Sequence, residues 1–184
     1  MSFKRKIATV LYALFLNMEG GMAAKMRRRI SGLGLKTVDT GVVVSSVARF
    51  ACGDDCALYH GTYILNTHGR VTFGNHSHMG AFCYANVLYG HLSIGDHVAI
   101  GPGCRLIVYS NHYGADTLVT EMRLEEDIVI GNNVFIGANS VILPGTIIED
   151  HVVIGAGSVV KGQLTANAVY AGAPCRKIKD GWYR

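Results

Sequence analysis

The chain has 184 residues, enough for one domain with a sizeable core, and only 16% of them are charged, without low-complexity tracts, which excludes a disordered chain. The net charge of +4 is concentrated at the start, because residues 1–36 hold eight Lys or Arg and one acid, whereas the rest hold nine basic and twelve acidic residues. This distribution argues against a nucleic-acid-binding surface spread over the domain.

Residues 1–36 are predicted to form a basic, amphipathic helical segment. Apolar side chains recur at the spacing of one helix face, at Phe3, Ile7, Val10, Leu11, Leu14, Phe15 and Met18. Gly20–Gly21 and the Gly32 to Gly34 step mark connections. The apolar run is too short to cross a membrane, so three interpretations stay open: a helix packed on the domain, a helix on an anionic membrane surface, and a secretory signal peptide.

Short β-type runs follow, with a period that is not yet clean. Inward-type positions six apart at Phe73, Met79 and Ala85 are followed by a slip of three residues before Ile94. Terminal repeats are often atypical because one face has no neighbour to cover it.

No metal site is expected in the chain. His76 and His78 are two residues apart and should share one side of a strand, but no third ligand is evident. Cys52 and Cys56 lack a second pair, and the odd number of scattered cysteines, five, argues for a reducing compartment.

The most regular stretch spans residues 94–165 and has a period of six. An aliphatic residue opens each repeat, at Ile94, Ile100, Leu106, Ile130, Ile136, Ile142, Ile148, Ile154 and Val160. A glycine often follows, and a small or β-branched residue stands four positions on. Six residues fit neither a helix nor an alternating strand. The period indicates a repeat architecture in which three hexads close a coil and the coils stack as parallel ladders.

These hexads resemble those of the hexapeptide-repeat acyltransferases. The motifs that carry the resemblance are IGNNVFIGAN at 130–139, AGAPCRKI at 171–178 and SNH at 110–112, and they are most similar to the sugar and polysaccharide O-acetyltransferases. The resemblance implies an all-β, left-handed parallel β-helix that assembles as a homotrimer, with active sites between neighbouring subunits. We expect the helical segment at 1–36, the β-helix at 37–165 with a protruding loop at 107–127, and a C-terminal strand and tail at 166–184.

The interruption of the repeat at 107–127 carries His112 near its start. Long breaks of this kind are usually functional. Acyl transfer from a thioester to an alcohol needs a base near neutral pKa, which histidine supplies. By the resemblance, His112 is that base, and the sugar hydroxyl attacks acetyl-CoA directly.

The resemblance also implies the binding residues. Acetyl-CoA would contact Ala138 beside the thioester, Ala156 and Lys161 along the pantetheine, and Phe135 where several relatives carry Trp. The basic cluster of Arg176, Lys177 and Lys179 could pair with its phosphates, and Lys179 matches a phosphate-contacting residue of the family. For the acceptor, YAN at 84–86 resembles the galactoside enzymes, which implies Asn86 and Tyr84.

The sequence therefore predicts a cytoplasmic, acetyl-CoA-dependent sugar O-acetyltransferase of surface-polysaccharide biosynthesis. It needs no metal or nucleic acid, and residues 1–30 are the part that would contact a membrane peripherally. One alternative is N-acetylation of a nucleotide-linked amino sugar. Two others are a non-catalytic scaffold and a γ-type carbonic anhydrase, which would need a histidine five residues after His112, where Thr117 stands.

Overall fold

The computed structural model describes residues 17–114, 116 and 118–183. These residues form one α-helix, α1 (Gly21–Ser31), a 3-10 helix (Val47–Arg49) and 22 short strands. The strands are β1 (Thr37–Val38), β2 (Val43–Val44), β3 (Phe50–Cys52), β4 (Ala57–Leu58), β5 (Tyr63–Leu65), β6 (Arg70–Phe73), β7 (His78–Met79), β8 (Tyr84–Asn86), β9 (His91–Ile94), β10 (Ala99–Ile100), β11 (Arg105–Ile107), β12 (Tyr109–Asn111), β13 (Arg123–Glu125), β14 (Ile128–Ile130), β15 (Phe135–Ile136), β16 (Val141–Ile142), β17 (Ile147–Ile148), β18 (Val152–Ile154), β19 (Val159–Val160), β20 (Gln163–Leu164), β21 (Ala168–Ala171) and β22 (Arg176–Asp180).

Successive strands wind around three faces, and each coil adds one strand to each face. Face 1 has the order β1-β4-β7-β10-β15-β18-β21-β22, face 2 has β2-β5-β8-β11-β16-β19, and face 3 has β3-β6-β9-β14-β17-β20. Within the three faces the pairing is parallel, except that β22 runs antiparallel to β21 and ends face 1. Strands β12 and β13 form a separate antiparallel pair. The architecture is the left-handed parallel β-helix that the resemblance implies, and the fold prediction is confirmed.

The six-residue period places one inward aliphatic residue on each face. On face 1, Ile136 pairs in register with Ile100 on one side and Ile154 on the other, and all three are fully buried. Equivalent columns run along the other two faces. The buried corner residue Ser140 is small enough for the turn, and its hydroxyl donates to the carbonyl of Gly137 at 2.8 Å. Continuous burial of these columns supplies the main stabilisation of the fold.

The three-residue slip in the hexad period before Ile94 arises because the coils there are longer than those of the regular repeat. Ala57 pairs with His78 and His78 with Ala99, so these coils take 21 residues each, whereas Phe135 pairs with Val153, 18 residues on. The three extra residues fall at the corner between face 2 and face 3. The interruption of the repeat leaves the β-helix from this same corner one coil later.

Helix α1 packs at the N-terminal end of the β-helix. Ala23 and Arg27 are its buried residues. Nε of Arg27 donates to the carbonyl of Val38 at 3.2 Å, and its guanidinium lies 4.0 Å from the carboxylate of Asp39. No helix formed by the described residues is long and apolar enough to cross a bilayer. The predicted apolar helix face lies outside the described residues, except for Met18, which is exposed.

Candidate active site

His112 directly follows the first strand, β12, of a β-hairpin that leaves the β-helix between face 2 and face 3. Strand β12 pairs antiparallel with β13, and Asn111 lies opposite Arg123. The N–H of His112 donates to the carbonyl of Met122 at 3.2 Å. The imidazole is half-buried and its ring centroid lies 5.3 Å from that of Tyr113. The interruption is therefore an ordered hairpin at its base, which fixes the backbone at the histidine.

Arg123 holds the two legs of this hairpin together. Its Nη1 donates to Oδ1 of Asn111 at 3.0 Å and also to the carbonyl of Thr120. Asn111 immediately precedes His112, so the guanidinium restrains the backbone that carries the imidazole. Sequence reasoning missed Arg123, because only the pairing register of the hairpin reveals the contact.

Both legs of the hairpin are also tied to the β-helix. On the outgoing leg, Nδ2 of Asn86 donates to the carbonyl of Tyr109 at 2.8 Å. On the returning leg, a carboxylate oxygen of Asp127 accepts the N–H of His91 at 2.8 Å. These side-chain contacts position the hairpin relative to the coil below it.

Asn86 and Tyr84 lie on β8, directly beside β11 on face 2. The register pairs Tyr84 with Arg105 and Asn86 with Ile107. Because only the amide nitrogen can donate to the Tyr109 carbonyl, the orientation of the Asn86 amide is fixed. Its Oδ1 is then a buried acceptor that has no hydrogen-bond partner among the described residues. An unpaired buried acceptor costs about 1–3 kcal/mol, so the large majority of buried polar side-chain atoms have a partner.

A second surface lies at the corner between face 1 and face 2. Ala138 and Ala156 occupy it in consecutive coils, where the N–H of Gly157 donates to the carbonyl of Ala138 at 2.8 Å. A Cβ on Gly137 would come 2.4 Å from the nitrogen of Ala156, so close stacking requires glycine there. Phe135 faces outward on β15 and is 47% exposed. The result is a strip of small residues beside an aromatic side chain.

A bulge in the pairing of β22 places its basic residues on different sides of the sheet. Ala171 pairs with Arg176, the register then shifts by one residue, and Val169 pairs with Lys179. Because directly opposed residues share a face, Arg176 and Lys179 both stand on the outward side of face 1. Lys177 lies on the other side, where Nζ forms a salt bridge of 2.9 Å with the acid three residues on.

A single chain does not bring His112 to the small-residue strip. The strip adjoins the start of the strands of face 2, whereas the hairpin leaves after their end. The four residue-to-residue steps of extended chain from Cys104 to Val108 span roughly 13 Å, so the two surfaces lie at opposite edges of face 2. Lys161 follows β19 at the hairpin edge and is therefore apart from Ala156.

His76 and His78, which the sequence places two residues apart, point in different directions. His76 occupies a corner with φ of +55° and stacks on His97 with ring centroids 4.9 Å apart. His78, on β7, packs edge-on against Tyr59 at 5.7 Å. The expectation that both point to one side of a strand is wrong, because the chain turns between them. In the part of the chain that the structure describes, no three His, Cys, Asp or Glu side chains are grouped for a metal ion.

Part of the chain is similar to proteins of known family. Residues 127–162 match the family described as "Bacterial transferase hexapeptide (six repeats)". Over 114 residues, 59% of this chain and 56% of the relative, the sequence is 39% identical to galactoside O-acetyltransferase from Escherichia coli strain K12. The chain spans about half the length of the curated relatives that it matches.

Two solved structures share the fold. A galactoside acetyltransferase in complex with coenzyme A superposes with a TM-score of 0.58 at 27% identity, over 96% of this chain and 80% of that one. A variant of AntD, an N-acyltransferase from Bacillus cereus in complex with dTDP and coenzyme A, gives a TM-score of 0.71 at 23% identity, over 80% and 83%. The likeness to AntD is one of fold alone.

Proposed function

We propose that this hexapeptide-repeat protein, a relative of the sugar O-acetyltransferases, transfers the acetyl group of acetyl-CoA to a hydroxyl of a sugar in surface-polysaccharide biosynthesis. The observation that carries the proposal is the half-buried His112, fixed in the hairpin whose base Asn86 anchors. The 39% identity to a galactoside O-acetyltransferase supports the choice of a sugar hydroxyl.

His112 is the general base of this reaction. Its imidazole accepts the hydroxyl proton as the sugar oxygen bonds to the thioester carbonyl carbon. The carbonyl oxygen becomes an oxyanion, and a backbone N–H at the small-residue strip donates to it; the loss of one such donor typically costs about 3 kcal/mol. The C–S bond then breaks, and the CoA sulfur takes the proton from the imidazolium. The histidine returns to its neutral form without an acyl-enzyme.

The strip at Ala138 and Ala156 is the proposed path of the pantetheine, with Phe135 beside it. From β15 to β22 the strands of face 1 advance by three spacings, roughly 14 Å in total. Arg176 and Lys179 stand outward at the far end of this path and would pair with the CoA phosphates. Lys161 contacts the pantetheine only if it reaches across from the other edge of face 2.

We infer a homotrimer with shared active sites, because one chain leaves its own two surfaces apart. His112 of one subunit would face the small-residue strip of its neighbour. The residues at 37–165 would then carry the reaction, those at 166–184 would bind the CoA phosphates, and those at 1–36 would attach the protein to a membrane surface. Size-exclusion chromatography with light scattering tests the assembly, and a monomer that retains full activity would contradict it.

A second candidate is N-acetylation of a nucleotide-linked amino sugar. It is favoured by 25% identity over 166 residues, 83% of this chain, to dTDP-4-amino-4,6-dideoxy-D-glucose acyltransferase from Escherichia coli. Comparison of an amino sugar with its hydroxyl analogue, by release of the CoA thiol, decides between the two. Thiol release that depends on neither acceptor would contradict both.

We also propose a cytoplasmic location with peripheral contact to an anionic membrane. Arg27 anchors α1 to the β-helix, whereas Lys25, Arg28 and Arg29 are exposed beside Met22, which is 82% exposed. Basic residues beside apolar ones favour anionic lipid surfaces. Co-sedimentation with phosphatidylglycerol-containing vesicles, compared with pure phosphatidylcholine, tests the contact. Equal binding of the chain with Lys25, Arg28 and Arg29 changed to Glu would contradict it.

A further inference from the structure

Arg105 is a cation on face 2 whose charge is not neutralised. It opens β11, and its side chain is exposed. Its Nη1 donates to the carbonyl of Gly103 at 2.8 Å and to that of Phe82 at 3.1 Å. Carbonyl groups orient a guanidinium but carry no net charge. Among the described residues, Arg105 forms no salt bridge with a carboxylate.

Arg105 lies at the edge of face 2 that carries the small-residue strip. In the parallel ladder of face 2 it is the direct neighbour of Tyr84, and the strand that it opens runs beside Asn86. Neighbouring strands lie roughly 4.8 Å apart. On the other side, Gly103 belongs to the corner that adjoins Ala138 in the next coil. The guanidinium therefore stands at the strip edge of face 2, where His112 of the neighbouring subunit would meet the thioester in the proposed trimer.

The register column of Arg105 on face 2 holds no other charged residue. The outward residues in its own register column along face 2 are Val43, Tyr63, Tyr84, Val141 and Val159. Residues 37–184 carry more acids than bases, yet none of the acids lies in this column. A fixed cation that pairs with no acid among the described residues, beside aromatic side chains, can receive an anion from outside the chain.

We propose that Arg105 binds an anionic group of the acceptor, a carboxylate or a phosphate, and thereby selects an acidic or phosphate-bearing sugar. The proposal rests on the proposed acetyl transfer and adds the substrate class. The planar guanidinium matches carboxylate and phosphate oxygens, and backbone carbonyls, including that of Cys104 at 3.4 Å, already hold one of its amino groups. Nε and the second amino group are left to bind, with little further ordering of the side chain.

The test measures thiol release from acetyl-CoA by the full-length protein with matched acceptors. One pair is a methyl hexoside and the corresponding methyl hexuronide; the other is a free hexose and its 1-phosphate. The two pairs distinguish a carboxylate from a phosphate. Because a hydrogen bond to a charged group is worth about 1.5–3 kcal/mol, we expect kcat/KM to favour the preferred anion by about 10- to 100-fold. The preference should shrink as ionic strength rises.

Arg105→Gln should abolish this preference by raising KM for the anionic acceptor, and should leave KM for acetyl-CoA and turnover of the neutral acceptor unchanged. Arg105→Lys should keep part of the preference, because the charge remains without the planar fork. Arg70→Gln, which removes an exposed positive charge on face 3, should keep all of it. Equal use of the neutral and anionic members of both pairs by the wild-type protein overturns the proposal. So does a rise in KM for acetyl-CoA in Arg105→Gln, which would assign the cation to the donor.

A binding measurement separates this proposal from the reaction itself. We expect the preferred anionic sugar to bind the His112→Asn protein in calorimetry, and Arg105→Gln in that background to remove the binding. If no acceptor supports thiol release but this binding persists, the proposed reaction fails and the anion site stands. If thiol is released and the binding does not depend on Arg105, the reaction stands and the anion site fails.

Discussion

Replacement of Ile136 by Ala tests how the β-helix is held together. Ile136 is fully buried between Ile100 and Ile154, and the ladder on both sides holds its backbone, with its carbonyl accepting the N–H of Gly101 at 2.7 Å. The cavity cannot collapse, because the neighbouring coils are fixed by the same hydrogen bonds. We therefore expect a loss of about 4 kcal/mol, in the upper part of the range for Ile→Ala.

The adjacent Phe135 provides a matched control. Its side chain points outward from the same strand and is 47% exposed, so Phe135→Ala should cost less than about 1 kcal/mol of stability. It should instead raise KM for acetyl-CoA about fivefold, because an apolar contact with the pantetheine worth about 1 kcal/mol is lost. Urea unfolding with an unchanged m value measures the first quantity and initial-rate kinetics the second.

The reasoning would be refuted if Ile136→Ala lost less than about 1.5 kcal/mol, a loss typical of a site that can relax. An equal loss of stability in both variants would also contradict the assignment of the two side chains to opposite sides of the strand.

Three further predictions concern the donor end, the hairpin and the acid limit of stability. Arg176→Ala and Lys179→Ala should each raise KM for acetyl-CoA about tenfold, whereas Lys177→Ala should not; equal effects of all three in steady-state kinetics would contradict the sorting by the bulge. Arg123→Ala should lower kcat about tenfold through loss of its charge-assisted hydrogen bonds, with KM for acetyl-CoA unchanged; a rise in that KM alone would argue against a positioning role. The side chain of Gln163 and a backbone N–H donate to Glu149 and lower its pKa from the ordinary 4.5. The folded pKa thus lies below the unfolded one, so this contribution is complete above pH 4.5 and disappears as pH falls through the folded pKa. Glu149→Gln should reduce the loss of stability over this pH range, measured by acid unfolding with circular dichroism. An unchanged pH dependence of stability would contradict the assignment.

The sequence could predict the parts of the fold that depend on period. Ile136 and the other inward residues recur every six positions because each face of a coil takes one of them. His112 was found in the same way, as the histidine at the interruption of a regular repeat. Its role came from the resemblance, since a period says nothing about chemistry.

Features set by register could not be predicted. The pairing of Asn111 with Arg123 depends on where the hairpin closes, and no local residue pattern fixes that point. The outward placement of Lys179 with Arg176 depends on a one-residue shift that the sequence does not mark. The separation of Lys161 from Ala156 appears only when strands are assigned to faces, because the two residues are five positions apart in the chain.

The most direct test of the central claim is the His112→Asn protein. We expect kcat for sugar-dependent thiol release to fall by about 100-fold or more, as for the loss of a general base. The dissociation constant for CoA in calorimetry and the unfolding midpoint should stay at their wild-type values. A folded variant that binds CoA and retains more than a tenth of the wild-type rate would contradict the account.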